Sequence, residues 1–83
     1  MESILRFPQV IEVTGKAKSV IKKEVKSGLF PSPVKIGERS IGWPKSEIEA
    51  IIRARIAGLS DEAIRRLVAK LTKDRANAIE DAQ

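Results

Sequence analysis

The chain has 83 residues, a formal net charge of +5 and no cysteine or histidine. One small domain fits in that length, with a limited core and no room for a deep catalytic pocket. Without Cys or His, the usual zinc sites and catalytic triads are excluded, and with them the commonest general base.

No apolar run approaches membrane-spanning length, and Met1 to Val10 shows no signal-peptide pattern. A cysteine-free chain suits a reducing cytosol. The charge is concentrated. Residues 16–39 hold seven cations (Lys16, Lys18, Lys22, Lys23, Lys26, Lys35, Arg39) against Glu24 and Glu38. Residues 58–83 balance five against five. A focused patch attracts a polyanion, whereas a scattered excess only aids solubility.

In chain order, Pro8 suits the first turn of a short helix, Val10, Ile11 and Val13 give it an apolar side, and Gly15 can end it. A second helix follows from about Ala17 to Ser27, with Gly28 as its stop. At 100° per residue, Ala17, Val20, Ile21 and Val25 form its core face, and Lys18, Ser19, Lys22, Lys23 and Lys26 form the opposite arc. Glu24 falls on the apolar side, which the pattern leaves unexplained. Two short helices joined by about three residues including a glycine outline a helix-turn-helix.

Leu29-Phe30-Pro31-Ser32-Pro33 reads as an extended connector. Val34-Lys35-Ile36 and Ser40-Ile41-Gly42-Trp43 then alternate around Gly37-Glu38-Arg39, as a β-hairpin with one face on the core does. Lys35 and Arg39 belong on its outer face or tip. Trp43, Phe30 and Phe7 are expected as core anchors rather than stacking platforms.

A third helix starts after Pro44 with Ser46-Glu47-Ile48-Glu49 as a capping box. It continues through Ile48, Ile51, Ile52 and Ile56 and ends at Gly58. A fourth starts at Ser60, with Leu59 stapled on Ile64 and a stripe of Ala63, Ile64, Leu67, Val68 and Leu71, and frays near Ala78. That stripe serves either the core or a contact between protomers. The carboxylates form no spaced acid/base pair, GxGxxG and GxxxxGK[ST] are missing, and Ser19 lacks a neighbour to activate it. No enzyme, cofactor or metal site is expected.

The run Val13-Thr14-Gly15, then Gly28-Leu29-Phe30-Pro31-Ser32-Pro33-Val34-Lys35-Ile36-Gly37-Glu38-Arg39-Ser40-Ile41-Gly42-Trp43, resembles the AlpA family. These are small regulators of phages and mobile elements, related to excisionases and to MerR-type DNA-binding domains. The resemblance covers roughly residues 4–57. It implies a winged helix-turn-helix, over residues 1–58 of a mainly α fold with a small β-hairpin, and double-stranded DNA as partner in a bacterial nucleoid. The C-terminal helix and tail over 59–83 lie outside the resemblance and serve packing or an oligomer contact. One unit this small has a modest interface, so further copies are expected to bind cooperatively, and in an excisionase role a tyrosine recombinase is a further partner.

Carried over by position, Lys18, Ser19, Lys22 and Lys23 fall on the recognition helix, and Lys35, Arg39 and Ser40 on the wing. Lys16 and Lys26 join them from the charge pattern. Where the family often has Ser-Arg-Ser-Thr-Ile-Tyr, this chain has Ala17-Lys18-Ser19-Val20-Ile21-Lys22. With no arginine on this helix, bidentate Arg–guanine readout is unavailable from it, so phosphate and shape readout is favoured. The family's frequent third-helix tryptophan appears here as Ile51 or Ile52. Three uses stay open: an excisionase, a promoter regulator of the same element, or a protein-interaction module such as an antitoxin.

Overall fold

The computed structural model describes residues 2–81, with side chains through Asn77. Its first element is a strand, β1 (Ile4–Leu5), which the sequence did not announce. Two residues are too few to show a period; pairing alone makes them a strand. Ile4 lies opposite Pro44 and Leu5 opposite Trp43, antiparallel to β3 (Ile41–Pro44). On the other side of β3, β2 (Val34–Lys35) sets Val34 against Gly42 and Lys35 against Ile41. The sheet order is therefore β1-β3-β2, with the expected hairpin as two of three strands. Ile36 N–H donates to the Ser40 carbonyl at 2.9 Å, closing the loop around residues 37–39.

Gly42 makes the three-stranded arrangement possible. A Cβ there would stand 2.8 Å from the Leu5 carbonyl oxygen and would collide with the Ile4 side chain. Close approach of a neighbouring backbone is one physical reason for glycine in a strand.

The helices follow the sequence punctuation in outline. α1 (Phe7–Thr14) carries Pro8 in its first turn, and Gly15 closes it at φ 70°. Gln9 Oε1 accepts the Arg6 N–H at 2.8 Å, satisfying a donor just before the helix. After Gly15-Lys16-Ala17, α2 (Lys18–Ser27) runs to Gly28, whose φ of 83° is left-handed. α3 (Lys45–Ile56) and α4 (Asp61–Asp81) complete the chain.

Two helix boundaries differ from those expected. α3 begins directly after Pro44, so Ser46 lies inside the first turn rather than capping it. Its N–H and Oγ–H both donate to Glu2 Oε1, at 3.0 and 2.6 Å. The cap comes from the other end of the chain, a partner no local pattern can show. α4 continues to Asp81, past the expected fraying near Ala78. At its start Ser60 Oγ accepts the Ala63 N–H at 3.2 Å, as an N-cap does.

The core gathers Val10, Ile21, Phe30, Trp43, Ile48, Ile51, Ala54, Ile64 and Val68. Trp43 anchors it: Phe7 and Phe30 meet its ring edge-on at 4.9 and 5.8 Å. Its Nε1–H donates to the Pro31 carbonyl at 2.7 Å, so the indole is buried without a lost hydrogen bond. Ile64 and Val68 belong to the same core, so α4 packs onto the winged body.

Several apolar residues expected inside lie outside it, among them Val13 of α1 and Ile36 and Ile41 of the hairpin. Ala17 is exposed, and Val20 is 41% exposed. α2 meets the body along one narrow line through Ile21, with Val25 half-buried beside it. Ile56, at the last position of α3, is 81% exposed, beyond the reach of α4. Leu59 is 41% exposed and is not among the residues packed on the core around Ile64. No helix among the described residues is long and apolar enough to cross a membrane.

Candidate nucleic-acid interface

α2 supplies the main cationic surface. Because the helix buries Ile21 on one line, everything across from that line faces solvent. Lys18, Ser19, Lys22, Lys23 and Lys26 are all exposed. Among the described residues, none of these four lysines enters an ion pair. Unpaired ammonium groups on one arc are well suited to phosphates, since no internal partner must first be displaced.

The acid that puzzled the sequence reading is neutralised. Both Glu24 carboxylate oxygens accept from Lys16 Nζ, at 2.6 and 2.8 Å, and Arg55 stands 3.7 Å from Oε2. Glu24 thus ties the turn before α2 and the end of α3 to the back of α2. Lys16, counted with the lysine arc from sequence, is placed apart from it and held in this pair, its side chain 25% exposed.

Lys18 is also positioned. Its Nζ lies 5.1 Å from the centroid of the Phe7 ring, a cation–π distance, and Phe7 in turn rests on Trp43. The core anchor therefore helps to orient the first lysine of the arc. Phe7 appeared in the sequence only as core.

On the wing, Lys35 and Arg39 are exposed, with Arg39 in the loop. Ser40 is half-buried, and its Oγ accepts from an Arg6 guanidinium nitrogen at 3.3 Å. Arg6 thereby adds a cation beside the wing that the sequence reading did not count. A signal for it existed, since Arg6 is the lone cation before Lys16, but only the β1–β3 pairing brings it there. Lys22 shares one shallow groove with Phe7, Val25, Pro33, Ile41 and Trp43. The lysine helix and the hairpin therefore flank a common depression, which the sequence could only assume.

The described residues hold no group of three or more His, Cys, Asp or Glu placed to bind a metal. The surface offers positive point charges and the Ser19 hydroxyl. It can neutralise an anionic backbone, and the structure shows no constellation on it for bond-making chemistry.

Known proteins resemble this chain over its first two thirds. The family described as Prophage CP4-57 regulatory protein (AlpA) matches residues 3–56, well over half of the chain. "Uncharacterized protein ORF88" of Enterobacteria phage P4 is 37% identical over 57 residues. That match covers 69% of this chain and 65% of the phage protein, just under two thirds of its length. No solved structure matches. With its winged helix-turn-helix in place and the family match spanning both helices, the wing and α3, the chain belongs to the AlpA family of prophage regulatory proteins.

Proposed function

We propose that this protein is an architectural DNA-binding factor of a mobile element, acting as an excisionase, or recombination directionality factor, for a tyrosine recombinase. The observation that carries the reading is the unpaired lysine arc of α2 beside a basic wing, with the helix's one acid turned away and neutralised.

In this reading α2 enters the major groove of double-stranded DNA. Lys18, Lys22, Lys23 and Lys26 replace counterions along the phosphates, and Ser19 lies among them on the same arc. Lys35, Arg39 and Ser40 of the wing hold the flanking backbone. Lys16 supports the interface from behind through Glu24. The recognition helix carries no arginine, so it positions the protein more than it reads guanine. Specificity then rests on the wing, on DNA shape and on several copies bound side by side, because one unit this small has a modest interface. Bending the DNA would be this protein's contribution; strand exchange belongs to the recombinase.

The family description as a regulatory protein favours a second reading, control of a promoter in the same element. Gel-shift and bending assays on DNA from the element's attachment ends and from the adjacent promoter test both. Cooperative binding with bending at the attachment ends supports the first. Binding confined to the promoter would replace it with the second. No preference for either DNA over random sequence would sink both.

A further inference from the structure

The recognition helix and the wing are joined by a short connector, and α4 grips both of its ends. At one end, Arg65 Nε–H donates to the Ser27 carbonyl at 3.0 Å. Ser27 is the last residue of α2, so its carbonyl is one of those a helix leaves without an internal partner. The aliphatic stem of Arg65 covers Gly28: its Cγ and Cδ lie 3.7 and 3.9 Å from where a Cβ would stand.

At the other end, Arg75 donates from one terminal nitrogen to the Ser32 carbonyl at 2.8 Å. The same guanidinium holds Glu47, with Nε–H 2.8 Å from Oε2 and the terminal nitrogen on Oε1. Glu47 is 5% exposed and is the one buried charged residue described in the body. The two arginines are ten positions apart, about 15 Å along a helix axis. Between the carbonyls they grip, Phe30 and Pro31 are buried.

We infer that Arg65 and Arg75 are positioning residues for DNA binding: α4 clasps the main chain on both sides of the 28–31 connector and so fixes the spacing between recognition helix and wing. This inference rests on the DNA-binding reading above. Its chemistry is that of preorganisation. Both bonds go to backbone carbonyls, so they fix the path of the chain whatever side chains the connector carries. A duplex can engage helix and wing together only when their spacing matches its own, and a clasped connector meets that condition before binding. Both arginines lie outside the family-matched span, residues 3–56, so the winged body and its brace come from different parts of the chain.

The test uses the full chain on one DNA fragment, well below each variant's melting temperature. Arg65→Met removes one grip. The pair Glu47→Met with Arg75→Met removes the other without stranding a buried carboxylate. Lys22→Ala serves as the direct-contact control. Affinity is measured across a series of salt concentrations, and amide hydrogen exchange is followed at Gly28 and Leu29.

The clasp predicts faster exchange at those amides and binding weaker by about tenfold, as when the competent arrangement falls to about a tenth of the population. It also predicts an unchanged salt slope, because no phosphate contact is lost. Wild-type affinity in both variants would overturn the inference. So would a reduced salt slope, which would make the arginines direct phosphate contacts. If Lys22→Ala also leaves affinity and slope untouched, the DNA-binding reading falls, and the clasp with it.

Discussion

The lysines of α2 and three arginines of the last two helices carry the same charge and are used in opposite ways. Lys18, Lys22, Lys23 and Lys26 point outward, without ion pairs among the described residues. Arg55, Arg65 and Arg75 turn back onto the protein, to Glu24 and Asp61, to the Ser27 carbonyl, and to Glu47 and the Ser32 carbonyl. The side-chain chemistry explains the division. A guanidinium is a rigid fork with five donors, able to hold a carboxylate and a carbonyl at once, as Arg75 does. An ammonium is a compact, well-hydrated charge that holds no geometry of its own and meets a phosphate from many directions. Arg55, Arg65 and Arg75 therefore shape the surface and the α2 lysines supply its potential. Lys16 is an instructive exception, a lysine drawn into the structural set because Glu24 faces it.

The largest expected effect lies at Glu47 and Arg75. Arg75→Met alone strands a buried carboxylate and should destabilise the fold by about 3–5 kcal/mol, while adding Glu47→Met should recover much of that loss. Urea unfolding of the single and double variants measures both. Equal stability of the two would show that the pair is not acting as a buried unit.

A smaller effect on stability but a clear one on binding is expected on the lysine side. Changing Lys22 and Lys23 together to Ala should leave stability within about 0.5 kcal/mol. The same double change should lower the salt slope of DNA binding by about 1.8, from about 0.9 per phosphate contact. A full slope in the double variant would remove α2 from the interface. Arg39→Ala on the wing should cost up to about one such contact and leave the melting temperature in place. Unaltered affinity there would confine binding to the helix.

The smallest expected change in slope is at Lys16. Lys16→Ala should not move it, since that charge already belongs to Glu24, and stability should fall by at most about 1 kcal/mol for a partly exposed pair. A drop in slope equal to that of Lys22→Ala would return Lys16 to the interface.

Much of the fold was legible because local chemistry decides it. Gly15, Gly28 and Gly58 all adopt positive φ where the sequence places the helix stops. The two prolines around Ser32 kept helix out of the connector, and alternation around Gly37-Glu38-Arg39 marked the hairpin. The cationic arc of α2 followed from helical period alone, because charged side chains avoid the interior whatever the partner. Other features were hidden for an equally physical reason: their partners are remote in sequence. β1 exists through β3, Ser46 is capped by Glu2, and Arg6 reaches the wing through strand pairing. Val20 and Ile56 satisfied the apolar period yet remain outside, because periodicity gives a direction on a helix and not the width of the surface that covers it.

Residue types and their spacing are enough to make one stretch of this protein strongly positive and to shape it as a helix followed by a hairpin. They also carry the family pattern that runs through both. Tertiary structure alone decided which charges are free. Lys16 and Lys22 are the same residue type six positions apart, and composition cannot separate them. Glu24 folds back on the first, and the body leaves the second facing solvent beside the wing. Charge is fixed residue by residue, but its availability depends on which opposite charges and carbonyls the fold brings within reach.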